Sequence, residues 1–300
     1  MKYSIELIRL LAVILITFTH TRHSITPESS MTYFFIEELP TIGTVLLSVV
    51  SGYLYKKVSF DKSNLFYNKV KTLLIPFLIA NLLVLTLVLV ANYIFGINFL
   101  NRLDFDTSLF SEGVLALNSP PINPPTYFIR DIFIIFVLME LVRHKNLYML
   151  AIIIPLMIFG KLLLRYDILF LFFIGMIIAN YEAFLVQFKT KLMICIALAL
   201  LSVILIFQTD VTIYKYPIAL LVFILIINWG VKFYNVGAYS YLLHLYHSPI
   251  IVATYPAIEK LIEDDLIRVW VQVSVSIVAV YVLYAITRKI TPLRILCGYK

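Results

Sequence analysis

Charge is scarce in this chain. Asp, Glu, Lys and Arg make up 14% of its 300 residues, about half the share of an ordinary soluble domain. No polar stretch is long enough to fold as a soluble domain of its own, since the longest interval between apolar runs, 97–125, holds fewer than thirty residues. A single domain over 1–300 is expected. Cysteine is nearly missing: Cys195 sits inside an apolar run, Cys297 near the end, and there is no CxxC. Neither a disulfide framework nor a metal site is therefore expected. A phosphate loop, a dinucleotide glycine pattern, HExxH and G-x-S-x-G are all absent, which excludes the commonest ATP-driven, metalloprotease and serine-hydrolase classes.

What fills the space is apolar: 62% of the residues are hydrophobic and the mean hydropathy is +0.96. Runs near 3–21, 40–55, 72–97, 126–142, 147–160, 166–181, 190–208, 213–230, 237–257 and 267–287 approach the length that spans a hydrocarbon core as a helix. The expected fold class is all-α, a polytopic integral membrane bundle of about ten helices. The runs 147–160 and 166–181 are short, and one broken hairpin or re-entrant pieces are the alternatives to two spans there. The first run carries a lysine like a signal peptide, but Glu6 and Arg9 interrupt it and no cleavage pattern follows, so it is expected to remain as an uncleaved span.

The net charge of +7 reflects basic residues at helix ends, where headgroups and topology account for them; no nucleic-acid partner is expected. Lys56, Lys57, Lys62, Lys69 and Lys71 mark one loop as cytoplasmic, and Arg143, Lys145, Lys189, Lys191, Lys232, Arg288, Lys289, Arg294 and Lys300 join that side if the spans alternate. Both termini are then cytoplasmic. The opposite loops hold Glu28, Glu37, Glu38, Asp104, Asp106, Glu112, Asp210, Glu259, Glu263, Asp264 and Asp265. Lys161 and Arg165 break the pattern, because alternation places their turn outside.

Ionisable residues within spans are costly and point to function. Glu6, Arg9 and His20 share the first run. Eleven residues separate Arg9 from His20, which on a helix brings them to one face about 16 Å apart. Glu6, three residues before Arg9, is placed to pair with it. His20 at the outer end suits either a general base for a hydroxyl or a helix cap, and His23 is expected to be solvated. A second polar concentration, Tyr239-Ser240-Tyr241-Leu242-Leu243-His244-Leu245-Tyr246-His247-Ser248, implies a buried polar face. His244 and His247 share that face but are too few for zinc. Arg130, beside Asp131, either contacts a substrate or snorkels to headgroups. Ser51-Gly52 allows close helix approach or backbone exposure to a ligand. The run Ser119-Pro120-Pro121-Ile122-Asn123-Pro124-Pro125 is expected to be extended, as a rim or as a stiff connector.

These motifs, in this order, resemble the acyltransferase 3 family of integral membrane enzymes that O-acylate surface glycans and some small molecules. Glu6-Leu7-Ile8-Arg9-Leu10-Leu11-Ala12 followed by His20 is similar to the family's first-helix pattern, Val50-Ser51-Gly52-Tyr53-Leu54 to its second, and Lys69-Val70-Lys71 before Pro76 to its basic cluster. Thr126-Tyr127-Phe128-Ile129 and Tyr239-Ser240 through His247 resemble two further segments. The chain departs from the pattern at Leu7-Ile8, where Gly-Leu is frequent, at Tyr127, where Trp is usual, and at His244, often Tyr.

The resemblance implies acetyl-CoA as a cytoplasmic co-substrate, no bound cofactor, a glycan or lipid-linked saccharide acceptor, and a bacterial cytoplasmic membrane. It also implies that Arg9 and His20 are needed for activity. On this view His20, Arg9 and Glu6 are catalytic, and Lys69, Lys71, Ser51 and Gly52 serve the donor, with Lys56 and Lys57 adding to a cationic mouth. Tyr127, Arg130, Ser240, Tyr241, His244 and His247 are left as acceptor or oxyanion contacts. A transporter or flippase for a lipid-linked glycan is the alternative from another class.

Overall fold

The structure is a computed structural model that describes residues 2–27, 30–98, 100, 102–185, 187–208, 212–227 and 232–298. Glu28, Asp210 and Lys300, and the end of the expected span 213–230, lie outside the described residues. The described residues contain no strand. The longer helices are α1 (Lys2–Phe18), α2 (Ile42–Leu54), α3 (Ile75–Phe95), α4 (Tyr127–His144), α5 (Leu150–Ile158), α6 (Asp167–Asn180), α7 (Phe188–Gln208), α8 (Lys215–Ile227), α9 (Gly237–Leu261) and α10 (Asp265–Lys289). Looser helical turns extend some of them, so that α2 belongs to a stretch from Met31 to Ser59 and α3 to one from Leu65 to Phe95.

Four stretches, Met31–Ser59, Leu65–Phe95, Phe188–Phe207 and Asp265–Lys289, are long and apolar enough to cross a membrane. Helix α1, at 17 residues, reaches only about 25 Å along its axis. It stops at Phe18, short of the expected Thr21, because successive threonines take up its last carbonyls: Thr17, Thr19 and Thr21 donate their hydroxyls to Val13, Ile16 and Phe18, a local alternative to helix propagation. A second correction concerns the proline run, which is not extended throughout. Pro124–Thr126 forms a tight helical turn leading into α4, where prolines are tolerated because the first amides of a helix need no partner.

The chain divides into two compact units, Met1–Asp61 with Phe170–Val280, and Lys62–Leu169 with Tyr281–Lys300. In the first unit α1 packs against α2, α8 and α9. Small residues set the closest approaches: a β-carbon on Gly43 would lie 2.4 Å from the Ala12 carbonyl oxygen, and one on Gly52 would lie 1.8 Å from that of Phe172. Such contacts let helix backbones touch where apolar burial alone gives little preference between protein and lipid. A cluster of Phe18, Ile36, Val269 and Val273 closes one end of this unit, with Phe18 edge-on to Trp270.

In the second unit, the end of the long loop between α3 and α4 is tied to α3 through buried Asn81. Its amide nitrogen donates to Thr126 Oγ1 at 3.1 Å, and its Oδ1 accepts from the Asn123 amide at 3.3 Å. Buried polar groups in an apolar interior need such partners.

Candidate active site

Within the first unit, α1 and α9 run side by side in the same direction. Near the start of α1, Glu6 is buried and its Oε1 accepts from Arg9 Nη1 at 3.4 Å, while 37% of the Arg9 side chain remains exposed. Helix α9 begins against this pair: a β-carbon on Gly237 would stand 3.1 Å from both Arg9 Nη1 and Glu6 Oε2. Oε2 is buried without a hydrogen bond, beside a helix end that carries partial positive charge.

Ten residues along α9 from Gly237 lies His247, and there the seam meets His20, in the turn just beyond α1. The two imidazole centroids are 5.3 Å apart and the rings are inclined by 49°. His244 follows at 6.2 Å from His247. Nδ1 of His247 lies 2.7 Å from the Leu243 carbonyl. A carbonyl can only accept, so Nδ1 carries the proton, and in the neutral ring Nε2 keeps a lone pair. That Nε2 is buried and has no hydrogen-bond partner, as is the Ser240 hydroxyl on the same helix.

The segment carrying His20 is held from several sides. The Arg22 amide donates to Gln272 Oε1 at 2.9 Å and Gln272 Nε2 donates back to the Arg22 carbonyl at 2.8 Å. His23, expected to be solvated, has a side chain only 5% exposed and donates to Glu37 at 2.9 Å. The reason is local: the Ile25 amide donates to Nδ1, which puts the ring proton on Nε2, facing the carboxylate.

In the second unit, Arg130 and Asp131 at the start of α4 form a buried ion pair at 2.8 Å, with side chains 4% and 0% exposed. Their remaining bonds go to a single loop. Arg130 donates to the carbonyls of Lys161 and Leu162, and Asp131 accepts from the amides of Leu164 and Arg165. The snorkelling alternative for Arg130 is thereby overturned, since its charge is neutralised inside the unit. Tyr127, one turn earlier, accepts a 3.1 Å bond at its hydroxyl from Arg165 Nη1. Glu112 draws the other side of the loop region together, accepting from the amides of Asn118 and Ser119 at 2.8 and 2.9 Å. Burial pushes its carboxyl up, but these hydrogen bonds outweigh it and hold the group below the usual glutamate range.

Against this geometry the acyltransferase domain model of the acyltransferase 3 family matches residues 2–288, essentially the whole chain. The chain belongs to the acyltransferase 3 family. No curated protein and no solved structure matches it. It is thus a membrane acyltransferase, an enzyme, and the transporter alternative gives way.

The acyltransferase brings together the residues expected on α1 and α9: Glu6 with Arg9, and His20 with His247 and His244. Ser51 donates its hydroxyl to the Leu47 carbonyl at 2.8 Å, and Gly52 is occupied by the crossing of α2 with α6, where Gly175 also lies against Val49. Lys57 is ion-paired with Glu182 at 2.7 Å. The Lys69 and Lys71 ammonium groups rest over the Phe136 and Tyr67 rings at 3.8 and 4.3 Å, contacts that stabilise a cation. Gly237 was not singled out by sequence reasoning, and Asp131 was noted only as the neighbour of Arg130, without a role of its own. For Asp131 the signal was there, an acid next to an arginine at a helix start; for Gly237 there was none, since only packing reveals it.

Proposed function

We propose that this enzyme transfers an acetyl group from cytoplasmic acetyl-CoA to a hydroxyl of a cell-surface or lipid-linked glycan, with both termini on the cytoplasmic side. The observation that carries the reading is the seam between α1 and α9, with a carboxylate–guanidinium pair near one end and two imidazoles about 16 Å further along. On this reading His20 takes the proton from the acceptor hydroxyl as its oxygen attacks the acyl carbon. The thiolate of CoA leaves as the carbon–sulfur bond breaks and takes up the proton held by His20. The His247 lone pair lies within reach of a direct or one-water hydrogen bond from protonated His20 and would stabilise the imidazolium as it forms.

Arg9, half out of its pair with Glu6, is suited to hold a phosphate or the pantetheine arm. Lys69 and Lys71 are assigned to the donor's phosphates on charge alone. The donor is a co-substrate, so no resident cofactor is proposed.

The test is mass spectrometry of surface glycan from cells carrying the wild-type chain, His20→Ala, or neither, before and after mild alkali. A base-labile acetyl increment with the wild-type chain only, at equal membrane abundance, is the expected result. An increment that persists with His20→Ala would remove His20 as the base.

A further inference from the structure

Lys161 and Arg165 violate the charge asymmetry of the loops, and the structure supplies another use for them. Together with Asn118, Pro120, Tyr127 and Leu164 they line a cavity of about 250 Å³ in the second unit. Both of its walls are clamped. On one side the guanidinium of Arg102 binds the Ser119 hydroxyl and the Pro120 and Pro121 carbonyls, while Glu112 holds the amides of Asn118 and Ser119. On the other, the buried Arg130–Asp131 pair spends five of its bonds on 161–165. Burying two charges is expensive, and here the expenditure rigidifies the five residues that present Lys161 and Arg165.

The chemistry of the lining is specific. Arg165 is already paired with Asp167 and bonded to the Tyr127 hydroxyl, so its charge is matched. Lys161 is exposed and has no ion pair among the described residues. The cavity therefore carries one net unmatched cation beside an aromatic ring, an asparagine and an arginine. It is smaller than pockets built for drug-sized ligands and suits one ring with one anionic substituent. Asn118 Nδ2 is taken by Glu112 and the Phe159 carbonyl, which leaves Oδ1 to accept from a hydroxyl. One face of the Tyr127 ring lies near the Arg165 guanidinium, 5.9 Å away, the other is open to a sugar's C–H groups, and Lys161 meets the charge.

We propose that this cavity is a subsite for a sugar ring bearing a single anionic group, carboxylate or phosphate, so that the acceptor is an acidic saccharide. The proposal rests on the glycan-acylation reading but concerns binding alone. It is tested on the full chain in a sugar-free, zwitterionic detergent, by saturation-transfer NMR titration with glucuronic acid, glucose 1-phosphate, glucose and inorganic phosphate. One or both anionic sugars should bind about tenfold more tightly than glucose, a difference of one charge-assisted hydrogen bond. Lys161→Ala, at an exposed position with no ion pair, should remove that difference while leaving the melting temperature unchanged. Which anionic sugar is preferred identifies the group.

Equal binding of glucose and both anionic sugars would overturn the proposal, as would an unchanged preference in Lys161→Ala. Inorganic phosphate binding as tightly as the anionic sugars would also overturn it, because the ring would then not be read. Loss of the subsite with acetyl transfer intact leaves the proposed reaction standing, and the reverse outcome leaves the subsite standing.

Discussion

Asp131 is the residue whose removal should cost the fold most. It neutralises Arg130 and accepts three amide bonds from Leu164 and Arg165, so Asp131→Ala leaves a buried guanidinium uncompensated and frees a loop. A loss of about 3–5 kcal/mol is expected, read as a lowered thermal midpoint of the purified chain. Asp131→Asn keeps part of the hydrogen bonding and should fall between. At His247 the expectation differs, since its Nε2 bonds to nothing in the resting protein. His247→Ala should therefore slow acetyl transfer by about tenfold, the worth of one hydrogen bond to a charge, without lowering stability by a comparable amount. A rate equal to wild type would remove His247 from the reaction. Sequence reasoning reached both positions by the same route, a polar residue inside an apolar run. It could not tell a clamp from a reactive group, because that depends on whether partners close around the side chain.

At the scale of elements, two glycines at helix contacts make opposite predictions. A methyl on Gly52 meets the Phe172 carbonyl oxygen at 1.8 Å, and backbone cannot yield there without moving α2 from α6. Gly52→Ala is expected to destabilise the first unit by about 1–3 kcal/mol, measured as reduced thermal stability and reduced membrane abundance. A methyl on Gly237 meets only the ends of Arg9 and Glu6, at 3.1 Å, which can shift by a few tenths of an ångström. Gly237→Ala should keep its fold and raise the apparent KM for acetyl-CoA more than it lowers kcat. An unchanged KM would dissociate Arg9 from the donor. The all-helical character was legible from the apolar runs, four of which lie in helices long enough to cross a membrane, whereas the short pair is now seen as α5 and α6, too short to cross by length alone. The exact helix ends were not legible, as the threonines after α1 and the helical turn at Pro124–Thr126 show, because local hydrogen bonds decide them.

For the molecule as a whole, charge asymmetry argues for an alternating topology with the termini inside. Single cysteines placed at Lys62 and Lys191 should react with a membrane-impermeant maleimide only after cells are opened, and one at Lys161 should react in intact cells. Labelling of the Lys161 position only in opened cells would reverse the side on which the proposed sugar cavity lies. Composition and the length of its continuous apolar runs determined that this is a helical membrane protein, since a barrel strand would show short alternating segments instead. The order of its motifs determined the family and drew attention to Glu6, Arg9 and His20. Only tertiary structure decided that α9 delivers His247 to His20 and Gly237 to the Glu6–Arg9 pair, and that Arg130 and Asp131 are spent holding a loop. Those outcomes depend on contacts between residues far apart in the chain, which hydropathy and periodicity along one segment do not encode.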